Sequence, residues 1–75
     1  MFTTLLTKDH QLVAKVEYKD DAVIIETDDP DVLEKLQTIY ADQMSVVDFV
    51  RANYRLNRLR AEGVIWELRM SSECN

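Results

Sequence analysis

The spacing of apolar residues changes once along this chain, at Asp28-Asp29-Pro30-Asp31, and that change constrains the fold more than any other feature. Before it, two segments alternate apolar and polar residues, as half-buried strands do, and a third is rich in β-branched residues, which also favour strands. They are residues 2–7, 12–18 and 22–27. Only two short polar turns separate them, so the sequence predicts a three-stranded antiparallel meander.

After this point apolar residues recur at helical spacing, which predicts two helices. The first begins at Pro30, because an Asp side chain caps free N–H groups and Pro has no N–H to leave unpaired. We expect it to reach about Gln43. Ser45 resembles the start of a capping box, which predicts a second helix over 46–62, ended by Gly63. One continuous helical rod stays open as an alternative.

Alternation returns over residues 64–70 and predicts a fourth strand. The order βββααβ indicates an α+β fold with both helices packed on one face of the sheet. The fourth strand has two possible neighbours, strand one or strand three, and the sequence does not choose between them. The length of 75 residues allows one domain. We place it at residues 1–70, followed by a polar tail over 71–75.

Scarce residue types argue against catalysis and metal binding. The chain has one His, one Cys and one Gly. One Cys excludes a disulfide framework and a cysteine zinc site, one His excludes a two-His metal motif, and one Gly excludes a glycine-rich phosphate loop. The acidic residues around Pro30 are explained by helix capping. We therefore expect no catalytic residue, no metal and no cofactor, and we predict that the chain is not an enzyme.

Charge is unevenly distributed. The net charge is −5, with ten acidic and four basic residues in 1–44 but four acidic and five basic residues in 45–75. The acidic excess opposes general nucleic-acid binding. The favoured hypothesis is a small acidic protein-binding module, in the manner of phage or mobile-element inhibitors that occupy the basic nucleic-acid-binding surface of a host defence protein. The residues predicted to form its acidic surface are Asp20, Asp21, Glu26 and Asp28.

The second predicted helix carries an unusual pattern. A polar ridge of Asn53, Asn57 and Arg60 divides its apolar residues into two flanks. One flank is Phe49, Ala52, Leu56 and Leu59, and the other is Val46, Val50, Tyr54 and Ala61. Either the ridge lies at the margin between the sheet and the first helix, or one flank packs on the core while the other is available to a partner.

The same helix carries a row of arginines. Arg51, Arg55 and Arg58 fall on one side of it, near Tyr54. This row is a solvated face, a set of ion pairs with the acidic half, or a binding site for a partner protein. A further hypothesis is a nucleic-acid-binding regulator that uses helix 46–62.

The sheet offers another candidate interface. If Leu12, Val16, Trp66 and Leu68 face the helices, the opposite face is open and carries Leu5, Val13, Ile24 and Ile65. These aliphatic residues are either scattered among charged pairs or form a patch large enough to mark an interface. The second hypothesis for function is therefore a self-assembling structural or accessory subunit, a homodimer.

The segment MFTTLLTKDH has no charged leader followed by a long apolar run, so we do not expect a signal peptide. No stretch approaches the roughly 20 apolar residues that cross a membrane. A lone Cys suits a reducing compartment. The sequence thus favours a cytoplasmic protein with no membrane contact.

Overall fold

The computed structural model describes residues 1–63, 65 and the backbone of 67–71. It confirms the α+β class and the predicted three-stranded antiparallel meander, which helices follow. The strands are β1 (Phe2–Leu6), β2 (Leu12–Lys19), β3 (Ala22–Glu26) and β4 (Glu67–Ser71). The helices are α1 (Pro30–Ile39), α2 (Val46–Arg55) and the short α3 (Asn57–Ala61).

Tight connections build the predicted meander. β2 pairs antiparallel with both β1 and β3. The backbone of β4 lies antiparallel to β1, which gives the strand order β3-β2-β1-β4. The strand predicted over 64–70 includes residues 64 and 66, which lie outside the described residues, so a strand over that whole span stays a prediction. Of the tail predicted over 71–75, Ser71 is the last residue of β4, and residues 72–75 lie outside the described residues.

The start of α1 is as predicted, but its end is not. The Asp29 carboxylate accepts hydrogen bonds from the N–H groups of Asp31 at 2.9 Å and Val32 at 3.3 Å. The helix ends at Ile39 rather than near Gln43, because the next residues pair with the β2–β3 hairpin instead. Their backbone hydrogen bonds join Val23 N–H to the Asp42 carbonyl and Met44 N–H to the Asp21 carbonyl.

The predicted break before Val46 is confirmed. The Ser45 hydroxyl accepts a hydrogen bond from Asp48 N–H at 3.2 Å and caps α2. The helix predicted over 46–62 is interrupted at Leu56, where the N–H bonds to the Asn53 carbonyl three residues earlier. Gly63 follows α3 with φ of +78°, the left-handed conformation in which glycine ends helices.

The sheet faces differ from those expected. Residues directly opposite in an antiparallel pair lie on the same face, and Leu5 is opposite Ala14. Leu5 is completely buried together with Ala14 and Val16, so the expectation that it faces away from the core is wrong. Ile65 is also buried in the core. Leu12 was expected to face the helices, but it is 64% exposed where β2 begins, beside an irregularity in the β1–β2 register.

Candidate protein-binding surface on α2

Burial separates the two apolar flanks of α2. Phe49, Ala52 and Leu56 are buried in the core. Val46, Val50 and Tyr54 follow each other four residues apart and are 46%, 39% and 68% exposed. Residues at this spacing form one row along a helix. The second flank is therefore a row of apolar side chains that the fold leaves in contact with solvent.

Phe49 anchors α2 to the rest of the molecule. Its ring stacks on Tyr18 of β2, with 4.8 Å between the ring centroids. It also meets the ring of Tyr40, just after α1, at 5.5 Å. Aromatic pairs at these distances are stabilising beyond the area they bury. One buried side chain thus fixes α2 against a strand and against the end of α1.

The polar ridge contributes a second anchor. Asn53 is buried, and its Oδ1 accepts hydrogen bonds from the Tyr40 hydroxyl at 2.5 Å and the Thr3 hydroxyl at 3.2 Å. Asn57 and Arg60, the other two members of the ridge, are exposed. The ridge is therefore split, with one amide tying α2 to β1 and to the segment after α1. Both hydrogen-bond partners of this amide are side-chain hydroxyls.

Burial also affects the two core tyrosines. It raises the pKa of the Tyr40 hydroxyl well above its usual range. The pKa of Tyr18 is raised first by burial and then by its hydrogen bond to Asp21, whose Oδ1 lies 2.8 Å away. Both hydroxyls act as hydrogen-bond donors within the fold, Tyr18 to Asp21 and Tyr40 to Asn53.

The exposed apolar residues of α2 include one more valine. Val47 is 56% exposed and lies beside the row. We call Val46, Val47, Val50 and Tyr54 the α2 strip. Among the described residues, these are four of the six large hydrophobic side chains that are exposed. Such concentration on one helix is uncommon, since exposed apolar residues are usually scattered.

The three predicted arginines lie next to the α2 strip. Arg51, Arg55 and Arg58 are exposed, and we call them the Arg stripe. Within residues 1–63 and 65, none of the three guanidinium groups forms an ion pair. Pairing with the acidic half, one of the sequence-based explanations, does not occur there. The stripe is a solvated row of positive charge beside an apolar row.

A groove opens between α1 and the α2–α3 region, at the end of the α2 strip. Its volume is 670 Å³, and Tyr54, Arg55 and Arg58 form part of its lining. Lys35 of α1 lines the other side, with its Nζ 3.6 Å from Glu62 Oε2. No sequence pattern pointed to Lys35 or Glu62, because only helix packing brings together residues so far apart in the chain.

The four predicted acidic residues form two pairs, one at each end of β3. Asp20 and Asp21 make the turn between β2 and β3, while Glu26 ends β3 and Asp28 follows it. At roughly 3.3 Å per residue, the two ends of β3 are about 13 Å apart. The turn itself is held firmly, because Tyr18 and Met44 both bind Asp21. All four side chains are exposed.

Burial argues against the candidate interface on the open face of the sheet. Leu5 and Ile65 belong to the core, and Val13 is half-buried against it. Ile24 is 51% exposed. It is the one predicted member of this patch whose side chain is largely in solvent, so the four residues do not form a shared apolar surface.

The described residues contain no group of three or more His, Cys, Asp and Glu side chains placed to hold a metal ion. Among the same residues, no helix has the length and apolar character needed to cross a membrane. Comparison with known protein families gives no match, and comparisons with curated proteins and with solved structures give none either. Functional inference therefore depends on the surfaces of the chain itself.

Proposed function

We propose that this chain is a small non-enzymatic protein-binding module that binds its partner through the exposed face of α2. The observation that supports this most is the α2 strip beside the Arg stripe, whose guanidinium groups form no ion pair among the described residues. Protein interfaces combine an apolar centre with a polar rim and are enriched in Tyr and Arg. The face of α2 has this composition, with Val50 in the middle of the apolar row, Tyr54 at its end and the arginines along one side.

The anchoring of α2 supports the same proposal. Phe49 and Asn53 attach the buried side of the helix to β1, β2 and the end of α1. A helix fixed in this way presents its other side in a constant geometry. Binding then loses little conformational freedom in the module, which favours affinity.

A matched pair of substitutions tests the proposal. We expect Val50→Lys to abolish capture of the partner from a lysate of the native host, because it places a charge in the middle of the apolar row. Ile24→Lys makes the same chemical change at an exposed residue of β3. That control should capture the partner as the unchanged chain does, and circular dichroism should show both variants folded. Loss of capture with Ile24→Lys but not Val50→Lys would move the interface to the sheet.

The acidic surface supports a second candidate, in which the module occupies a basic surface of its partner. Asp20 and Asp21 are exposed on a turn fixed by Tyr18 and Met44. One variant replaces Asp20 and Asp21 by Lys, and a second variant replaces Glu26 and Asp28 by Lys. Together they measure how much each end of β3 contributes to capture of the partner. Unchanged capture with both pairs would reject this candidate. The narrower hypothesis of a phage inhibitor acting on a host defence protein stays a prediction.

Two other hypotheses from the sequence have direct tests. Light scattering after gel filtration measures whether the chain is a homodimer, and a monomer at high concentration would reject self-assembly. Retention on an immobilised duplex at low salt measures nucleic-acid binding. No retention would reject a regulator that uses the Arg stripe.

The proposal also includes the finer architecture predicted from the sequence, with both helices on one face of a four-stranded sheet. The contacts of Phe49 with Tyr18 and of Asn53 with Thr3 support it for α2. In that arrangement the exposed side of α2 points away from the sheet, where a partner has free access.

A further inference from the structure

We infer that the partner presents an acidic amphipathic segment, whose apolar side chains cover the α2 strip while its carboxylates enter the groove between α1 and α2–α3. This inference rests on the proposed function and specifies the chemistry of the partner at that same surface. It is carried by the charge around the groove and by the connection between the groove and the strip.

The groove concentrates positive charge in an otherwise acidic chain. Among the described residues, Lys35, Arg55 and Arg58 line it together with one carboxylate, that of Glu62. The chain as a whole has a net charge of −5. Guanidinium groups bind carboxylates through paired hydrogen bonds, and the two arginines of this groove have no ion-pair partner among the described residues. An acidic ligand supplies the missing partners.

The groove already holds one carboxylate of the chain itself. Glu62 Oε2 lies 3.6 Å from Lys35 Nζ, and their side chains are 48% and 43% exposed. An ion pair this exposed contributes little to stability, because water and salt screen it. A carboxylate from a partner can therefore replace Glu62 at small cost, and Glu62 shows which chemical group the site accepts.

Tyr54 joins the groove to the α2 strip. It is the last residue of the apolar row and also part of the groove lining. From Val46 to Tyr54 the row spans about 12 Å, at 1.5 Å per residue. A partner helix of two to three turns covers that distance, and its acidic residues at one end then reach Lys35, Arg55 and Arg58. Helices with apolar residues four apart bind along such rows.

Charge also favours an acidic partner over a second copy of this chain, bound so that the α2 strips of the two copies contact each other. An antiparallel pair of α2 helices brings the Arg stripes of the two copies to the same side of the contact, and like charges there disfavour the pairing. The phosphates of a nucleic acid can bind the Lys and Arg side chains of the groove, but they leave the valines of the α2 strip without an apolar contact.

The probe is a synthetic helical peptide of about 15 residues, with leucines four apart on one side and glutamates beside them. Two comparison peptides carry Lys in place of every Glu, or Ala in place of every Leu. Binding to the full chain is followed by amide chemical shifts and by fluorescence anisotropy. We expect the acidic peptide to shift resonances of α2 and Lys35, with affinity that falls as salt is raised. Each comparison peptide should bind at least about 10-fold more weakly.

Substitutions in the chain give the sharper measurement. Arg58→Glu lies in the groove and should weaken binding of the acidic peptide about 10-fold. Arg60→Glu makes the same charge change at an exposed residue outside the groove lining and should have less than about a 2-fold effect. Glu62→Gln frees Lys35 and should strengthen binding about 2- to 3-fold.

Several results would overturn the inference. One is an equal effect of Arg58→Glu and Arg60→Glu on binding of the acidic peptide. Another is that the Lys peptide binds as tightly as the acidic peptide or more tightly. The others are tighter binding of a DNA duplex in the same groove, and a dimer of the chain that Val50→Lys dissociates. If partner capture still depends on Val50 in those cases, the protein-binding function stands and only the partner chemistry is wrong. If capture does not depend on Val50, the proposed function itself fails.

Discussion

The Tyr40 hydroxyl donates a 2.5 Å hydrogen bond to Oδ1 of Asn53, and both residues are buried. The same oxygen accepts a second hydrogen bond from Thr3. One amide in the middle of α2 therefore connects the first strand, the end of α1 and the helix that carries the candidate interface. Groups buried in this way are stabilising only while all of them are paired.

Asn53→Ala should lower the free energy of unfolding by about 2–3 kcal/mol, because it leaves two buried hydroxyls without an acceptor. Urea denaturation followed by circular dichroism measures the change. The matched variant Asn57→Ala removes an exposed amide in α3 and should cost less than about 0.5 kcal/mol. Equal losses in the two variants would contradict the role assigned to Asn53.

Stability should fall at alkaline pH because Tyr18 and Tyr40 both have raised pKa values in the folded state. An unfolded tyrosine ionises near pH 10, so below that pH both states are protonated and the tyrosines cause no pH dependence. Above it, the unfolded state loses protons more readily, and stability decreases as pH rises. Urea midpoints from about pH 9 to 12 should show this, with a smaller slope for Tyr40→Phe. An unchanged slope in that variant would contradict the prediction.

Leu5→Ala should destabilise the chain by about 2–5 kcal/mol, since Leu5 is completely buried and its loss leaves a cavity. Leu12→Ala removes a side chain of the same size that is 64% exposed. That variant should cost less than about 1 kcal/mol. Thermal or urea unfolding of the pair is a direct check of which leucine faces the core, and the reverse order would restore the assignment expected from alternation.

The β2–β3 turn should be sensitive to side-chain shape at Asp20. Asp20 and Asp21 have φ values of 54° and 61°, and such turns favour Gly, Asn and Asp. Asp20→Val should cost about 1–2 kcal/mol, because a branched side chain clashes with the backbone in this conformation. Asp20→Gly should be neutral or slightly stabilising. Chemical denaturation of both variants tests this, and similar stabilities would argue against a strained turn.

The sequence was sufficient to predict the structure wherever an interaction between residues close together in the chain determines it. The helix start at Pro30 and the break at Ser45 follow from side chains that bind N–H groups two or three residues away. Alternation located the first two strands and β-branched residues located the third, for the same local reason. Helical spacing separated the two apolar flanks of α2, because it places Phe49 and Val50 on different sides of the helix.

Long-range contacts account for what the sequence did not reveal. The end of α1 at Ile39 depends on pairing with a hairpin about 20 residues earlier in the chain, near Asp21 and Ala22. The inward side of β1 depends on its register with β2, in which Leu5 is opposite Ala14. A shift of one residue moves every side chain to the other face, and local alternation does not determine which face is buried.

The candidate site divides in the same way. The sequence by itself determined the apolar row and the arginines of α2, since both are periodic patterns within one helix. Only the tertiary structure decided that this row is the exposed one, that Asn53 is buried beneath it, and that Lys35 and Glu62 complete a groove beside Tyr54. The physical reason is that burial and charge convergence are properties of elements packed together. No spacing within a single element specifies its neighbours.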